Sequence, residues 1–147
     1  MNLETDKTNS RKSKGEVLKS FEKLIDNIKM LKDKEKGCPW HKNQNHESLI
    51  PYLLEESYEF INATENGSIN NMRDELGDIL LQIMLHAEIS YEKNEFDLKD
   101  IISNLNHKIE LRHPYIFSNK RKVSLEEASQ IWEAIKTSEN KKSNEKS

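Results

Sequence analysis

The sequence predicts an all-α fold: a compact helical bundle of about five helices. Three observations carry this. The 147 residues hold only four glycines and three prolines, too few for the many tight turns of an all-β domain. Apolar residues recur three and four positions apart through five stretches, with no β-rich run and no internal repeat. Apolar side chains make up 34% of the chain and charged ones 33%, so apolar surface must be used economically.

In chain order, residues 1–15 are polar and aperiodic and read as a disordered arm. Val17, Phe21, Leu24, Ile28 and Leu31 then form one stripe of an amphipathic helix over about residues 16–32. Residues 33–47 read as a loop. Gly37 allows a tight turn, and Pro39 breaks helix between Cys38 and Trp40. Trp40 either plugs the edge of the core or offers its face to a ligand base, with the plug favoured. Ser48 reads as the N-cap of the next helix, with Pro51 in its first turn. That helix ends near Thr64, and Asn66-Gly67 reads as a turn.

The longest helix follows, over about residues 69–93. Met72, Leu76, Ile79, Leu80, Ile83, Met84 and Ala87 give it an apolar face too wide for one neighbour. Such a face in a short chain implies burial against several helices or a second subunit, hence a homodimer or higher assembly. Gln82 and His86 continue the line of Glu75 and Asp78, His86 more as a structural histidine than as a ligand. Asp97 and Asp100 open a fourth helix, whose stripe is Ile101, Ile102, Leu105 and Ile109, and which stops before Pro114. Ser124 with Glu127 is a capping box opening a last helix that runs to about Thr137 and docks by Trp132 and Ile135. Residues 138–147 read as a disordered tail. The ordered part, 16–137, is thus a single domain.

Composition narrows the function. A net charge of −3 argues against a general binder of nucleic-acid polymers. No apolar run approaches the length needed to span a bilayer, and the polar start lacks the core of a signal peptide. Cys38 is the single cysteine, so no intrachain disulfide can form. These features point to a cytoplasmic protein.

The chemistry concentrates between Leu53 and Asp78. Glu56 and Glu59 are three residues apart, and so are Glu75 and Asp78. Each pair shares a helix face. If the turn at Asn66-Gly67 folds the two helices antiparallel, the pairs face each other, with Glu55 beside them. Carboxylates converging without a cation repel one another. Hard oxygen ligands in such a cluster suit Mg²⁺, with Mn²⁺ as a substitute. The bland alternative is four solvated charges on helix surfaces. Lys108 and Arg112, four apart, can project together as a phosphate clamp or serve as ordinary surface charge.

Five blocks in order resemble the MazG family of nucleoside triphosphate pyrophosphohydrolases, within the all-α NTP pyrophosphatase superfamily. They are Cys38-Pro39-Trp40 with Lys42 and Gln44, then Ser48–Glu59, Glu75–Asp78, Lys108–Phe117 and Trp132–Lys136. The sequence departs from the family pattern at His41, Asn43, Leu111 and Tyr115. The resemblance implies hydrolysis of nucleoside or deoxynucleoside triphosphates between the α and β phosphates. It implies Glu56, Glu59, Glu75 and Asp78 as metal ligands, and Glu55 as a supporting acceptor or general base. Lys108 and Arg112 would hold phosphate oxygens, with Lys42 and Lys136 as further candidates and Trp40 or Trp132 beside the base. The competing class is a non-catalytic helical module that binds nucleotides or oligomerises.

Overall fold

The structure, a computed structural model, describes the backbone of residues 3–146 and the side chains of residues 13–143. Met1, Asn2 and Ser147 lie outside the described residues. Among the described residues there are seven helices and no strand: α1 Leu3–Leu31, α2 Pro39–Lys42, α3 His46–Glu65, α4 Ile69–Glu92, α5 Leu98–Arg112, α6 Pro114–Phe117 and α7 Leu125–Lys146. The all-α expectation holds, and the two additional helices are single turns. The chain divides into two compact units, residues 1–98 and 99–147. No helix among the described residues is long and apolar enough to cross a membrane.

The first unit is built on the α3–α4 hairpin, against which α1 packs through α4. Gly67 makes the turn with φ of 68°, a conformation that side chains disfavour, and Ser68 caps α4 by accepting from the Asn71 N–H. Asn66 keeps a right-handed conformation, so only one of the two turn residues uses its conformational freedom. The antiparallel hairpin sets residues equidistant from Gly67 against each other. Leu49 and Leu85 each lie eighteen residues from it, and with Ile89 and the partly buried Leu81 they form the core cluster. Ile28 of α1 and Met84 and Ala87 of α4 are buried as well.

The wide face of α4 divides in two. Met84 and Ala87 are buried, whereas Leu76, Leu80 and Ile83 are exposed. On α3 a matching stripe of Ile50, Leu54 and Ile61 is exposed.

Three local readings are corrected. The N-cap of α3 is Asn45, not Ser48. The Asn45 side chain accepts from the Ser48 N–H at 2.8 Å while the Ser48 hydroxyl accepts from the Asn45 N–H at 2.9 Å, a reciprocal box that satisfies two donors at once. The helix therefore starts earlier, and Pro51 falls inside it rather than in its first turn. Trp40 does not plug the core: it is 43% exposed, with its ring edge-on to Tyr52 at 5.3 Å. The arm and the tail are helical where described, because α1 begins at Leu3 and α7 continues to Lys146. An apolar stripe is a property of hydrophobic pattern, which is different from helix propensity. Lys, Glu and Arg are good helix formers without any core to pack on.

The segment between α1 and α3 is tied down by polar contacts. Lys32 is buried, donates to the His41 carbonyl at 3.3 Å and pairs with Glu92 at 3.6 Å, partners that a buried ammonium requires. Gly37 is obligatory, since a Cβ would press on the carbonyl oxygens of Asp33 and Leu31.

In the second unit α5 stops at Arg112, where Pro114 follows, and the His113 ring donates back to the Ile109 carbonyl at 2.6 Å. Ser124 caps α7 by accepting from the Glu127 N–H at 3.2 Å. The stripe expected to bury α5 is only partly covered, with Ile102, Leu105 and Ile109 exposed.

Candidate active site

The hairpin register that pairs Leu49 with Leu85 also pairs the acids. Glu59 and Glu75 each lie eight residues from Gly67, and Glu56 and Asp78 each lie eleven. Eight, eleven and eighteen differ by three and seven, so the acids share one helical face with the core leucines. One ligand oxygen from each of Glu56, Glu75 and Asp78 lies within 4.8 Å of the others. Glu59 joins the group through hydrogen bonds to both Glu56 and Glu75.

The electrostatics are those of crowded negative charge. Burial, then hydrogen bonds to Glu75 and Glu59, then the charges of Asp78 and Glu59, push the Glu56 carboxyl up to about 8. The Glu75 carboxyl is also raised, chiefly by the hydrogen bond with Glu59 and against an opposing one with Glu56. Carboxylates that cannot all ionise together share protons. Glu56 Oε2 and Glu75 Oε2 are buried with no hydrogen-bond partner. Buried acceptors in that state are costly.

An octahedral Mg²⁺ at about 2.1 Å from its oxygens sets neighbouring ligands about 3 Å apart and opposite ones about 4.2 Å apart. The all-carboxylate chemistry of the cluster and its two orphaned atoms suit such an ion, which would draw together oxygens that lie within 4.8 Å of one another. The arrangement can hold a hard divalent cation between the facing acids of α3 and α4.

The other expected site residues have these surroundings within their own units. Glu55 is exposed and outside the cluster. Lys42 donates to the Lys34 carbonyl at 3.0 Å, which ties it into its own loop. In the second unit, Arg112 donates to Glu139 Oε2 at 2.8 and 3.3 Å. Trp132 has Lys136 over its ring at 4.6 Å and Arg112 at 5.8 Å, contacts that favour a cation over an aromatic face. Lys108 is half-buried on α5.

Gln82 and His86 do not join the acids. Gln82 is buried, and His86 stacks on His46 with Nδ1 to Nδ1 at 2.7 Å. His46 Nε2 meets the Ser90 hydroxyl at 3.2 Å. One proton must lie between the two Nδ1 atoms, and burial, followed by the charge of His46, holds the His86 imidazole below its ordinary value. The role of His46 was hidden by placing the start of α3 at Ser48. The Asn45 box is the signal that would have revealed it.

The family model of the MazG nucleotide pyrophosphohydrolase domain matches residues 44–117, from just before α3 to the end of α6. The chain belongs to the MazG family. It is 42% identical over 119 residues to the Thermotoga maritima nucleoside triphosphate pyrophosphohydrolase/pyrophosphatase MazG, an alignment covering 81% of this chain and 45% of the relative. It is 36% identical over 122 residues to the nucleoside triphosphate pyrophosphohydrolase of Escherichia coli K12, covering 83% and 46%. The chain spans about half the length of these curated relatives. The crystal structure of a mazG-related protein from Thermotoga maritima superposes with a TM-score of 0.67 at 32% identity, covering 79% of this chain and 98% of that one. The MazG match includes all four acids of the cluster and stops short of α7.

Proposed function

We propose that this MazG chain hydrolyses nucleoside or deoxynucleoside triphosphates between the α and β phosphates, releasing a nucleoside monophosphate and pyrophosphate. The observation that carries the reading is the pair of acid pairs, set at matching distances from Gly67, with two buried oxygens that lack any donor. The names of the relatives support it, since several are nucleoside triphosphate pyrophosphohydrolases.

Glu56, Glu59, Glu75 and Asp78 would hold the divalent cation, Mg²⁺ or in its place Mn²⁺. Bound there, the cation supplies positive charge against the triphosphate and lowers the pKa of adjacent water. The oxygen of water adds to the α phosphorus as the bond to the bridging oxygen of the β phosphate breaks, and its proton needs an acceptor. Glu55, exposed and next in sequence to Glu56, is the proposed acceptor. Lys42, Lys108, Arg112 and Lys136 are the cations proposed to take phosphate oxygens, and they would stabilise charge moving onto the pyrophosphate. Trp40 and Trp132 are the rings proposed for the base. The exposed stripes of α3 and α4, Ile50, Leu54 and Ile61 with Leu76, Leu80 and Ile83, support a homodimer in which these faces are covered.

The test is product analysis on a panel of NTPs and dNTPs with Mg²⁺, separating pyrophosphate from orthophosphate. Monophosphate plus pyrophosphate supports the reading. Asp78→Asn should abolish that turnover while leaving the helical circular dichroism unchanged. Absence of turnover with every triphosphate in Mg²⁺ and Mn²⁺ would overturn it in favour of a non-catalytic binding module.

A further inference from the structure

The second unit gathers two cations and one carboxylate around Trp132. Arg112 and Lys136 both lie over the indole ring. Glu139 takes two hydrogen bonds from Arg112, both on Oε2. Its other oxygen, Oε1, is buried without a partner. The Arg112–Glu139 contact is therefore incomplete: a guanidinium fork can engage two oxygens of an anion, and here it engages one. The patch also holds two positive charges against one negative, which leaves it attractive to a polyanion.

Glu139 reaches this place on an unusual stretch of helix. Past Thr137, α7 carries Ser138, Glu139, Asn140, Lys141, Lys142 and Ser143, with no apolar side chain. Nothing apolar holds these turns down, and Ser and Asn are indifferent helix formers. The hydrogen bonds that tie the stretch to α5 are the two from Arg112.

We propose that Glu139 is a built-in competitor for the phosphate-binding position of Arg112, so that triphosphate or pyrophosphate binding displaces it and loosens the end of α7. This rests on the reading of Arg112 as a phosphate ligand. The bound anion offers several oxygens and more charge than a single carboxylate, and it leaves no buried oxygen unpartnered. Apparent affinity is reduced by the fraction of molecules in which Glu139 holds the arginine. For a partly exposed ion pair that factor is about 1.5 to 5.

The probe is inorganic pyrophosphate, titrated by calorimetry into the full chain. Glu139→Gln keeps the shape, removes the charge and should tighten pyrophosphate binding by about 1.5- to 5-fold. In the unaltered protein, saturating pyrophosphate should speed amide hydrogen exchange across residues 138–143 and leave α3 and α4 unaffected or slower. That second measurement needs no variant and stands whatever Glu139→Gln does to folding. If Glu139→Gln binds equally or more weakly, or if exchange at the end of α7 is unmoved or slowed, Glu139 orients Arg112 or merely anchors the helix, and the proposal fails. Arg112→Ala separates the two readings. Unchanged pyrophosphate affinity in that variant removes Arg112 from the phosphate site altogether. Weaker binding there, with no gain in Glu139→Gln, removes only the competitor.

Discussion

Replacing Glu56 by Gln should stabilise the chelated protein at pH 8 while destroying its response to Mg²⁺. Glu56 ionises near 8 in the folded protein and near its ordinary value of about 4.3 when unfolded. Between those pH values the folded state binds more protons than the unfolded one, so stability is greatest below the unfolded value and falls as pH rises through the folded one. Unscreened, a shift of that size corresponds to roughly 5 kcal/mol. Glu56 is half-buried, and solvent screening brings the expected loss to about 1–2 kcal/mol. Gln carries no charge to desolvate, so Glu56→Gln should flatten the slope between pH 5 and 8 and gain about that amount at pH 8. The assay is urea unfolding in EDTA at several pH values, followed by circular dichroism, then repeated with Mg²⁺. Proton and cation compete for the same oxygens, so Mg²⁺ should raise the midpoint of the parent more at pH 8 than at pH 5. A parent whose midpoint is flat from pH 5 to 8 in EDTA, or indifferent to Mg²⁺ at pH 8, would refute both the crowding of the acids and their role as ligands.

Two further predictions concern the scaffold. Leu85 is 2% exposed in the small cluster with Leu49 and Ile89, and Leu85→Ala should cost about 2–5 kcal/mol in urea unfolding. The acids are untouched, so turnover per folded molecule should persist, and loss of turnover at full folding would contradict this. Gly37→Ala should lower stability by about 1–3 kcal/mol, because its methyl would press on two backbone carbonyls that cannot move aside. An unchanged thermal midpoint would show that the Leu31–Cys38 turn is freer than its contacts suggest.

The sequence revealed the helices that carry an apolar stripe and missed those that do not. α4 was legible within a residue of its observed bounds because the turn before it and its periodic face are written locally. Residues 3–15 and 138–146 were not, since a polar helix and a disordered segment share the same absence of pattern. The acid cluster was legible because two i, i+3 pairs straddle an Asn-Gly turn, and an antiparallel hairpin then leaves the pairs little choice but to meet. The His46–His86–Ser90 contact was not, because it depends on where α3 begins, and the reciprocal Asn45–Ser48 box decides that by two hydrogen bonds. Trp40 was misjudged for a similar reason. Whether a loop aromatic turns inward depends on the segment as a whole, here held by buried Lys32 and by the bend at Gly37.

The hairpin register has a consequence for how stability and chemistry divide along it. Near the turn, at eight and eleven residues from Gly67, the facing positions are acids that repel one another. Farther out, at eighteen, they are leucines, and the His46–His86 stack lies beyond them. An antiparallel pair with the opposite arrangement would concentrate the repulsion at the open end, where nothing covalent keeps the helices together. With the acids near the turn, the covalent link and the cap at Ser68 hold the helices close where electrostatics would part them. The apolar and histidine contacts then close the far end, where the chain supplies no link. A site that must crowd negative charge before a cation arrives is thus placed where the backbone itself resists separation. The same register explains why the positions are intolerant of slippage. A one-residue insertion in either helix between the turn and the acids would rotate one pair by 100° away from the other, and would misalign Leu49 and Leu85 as well.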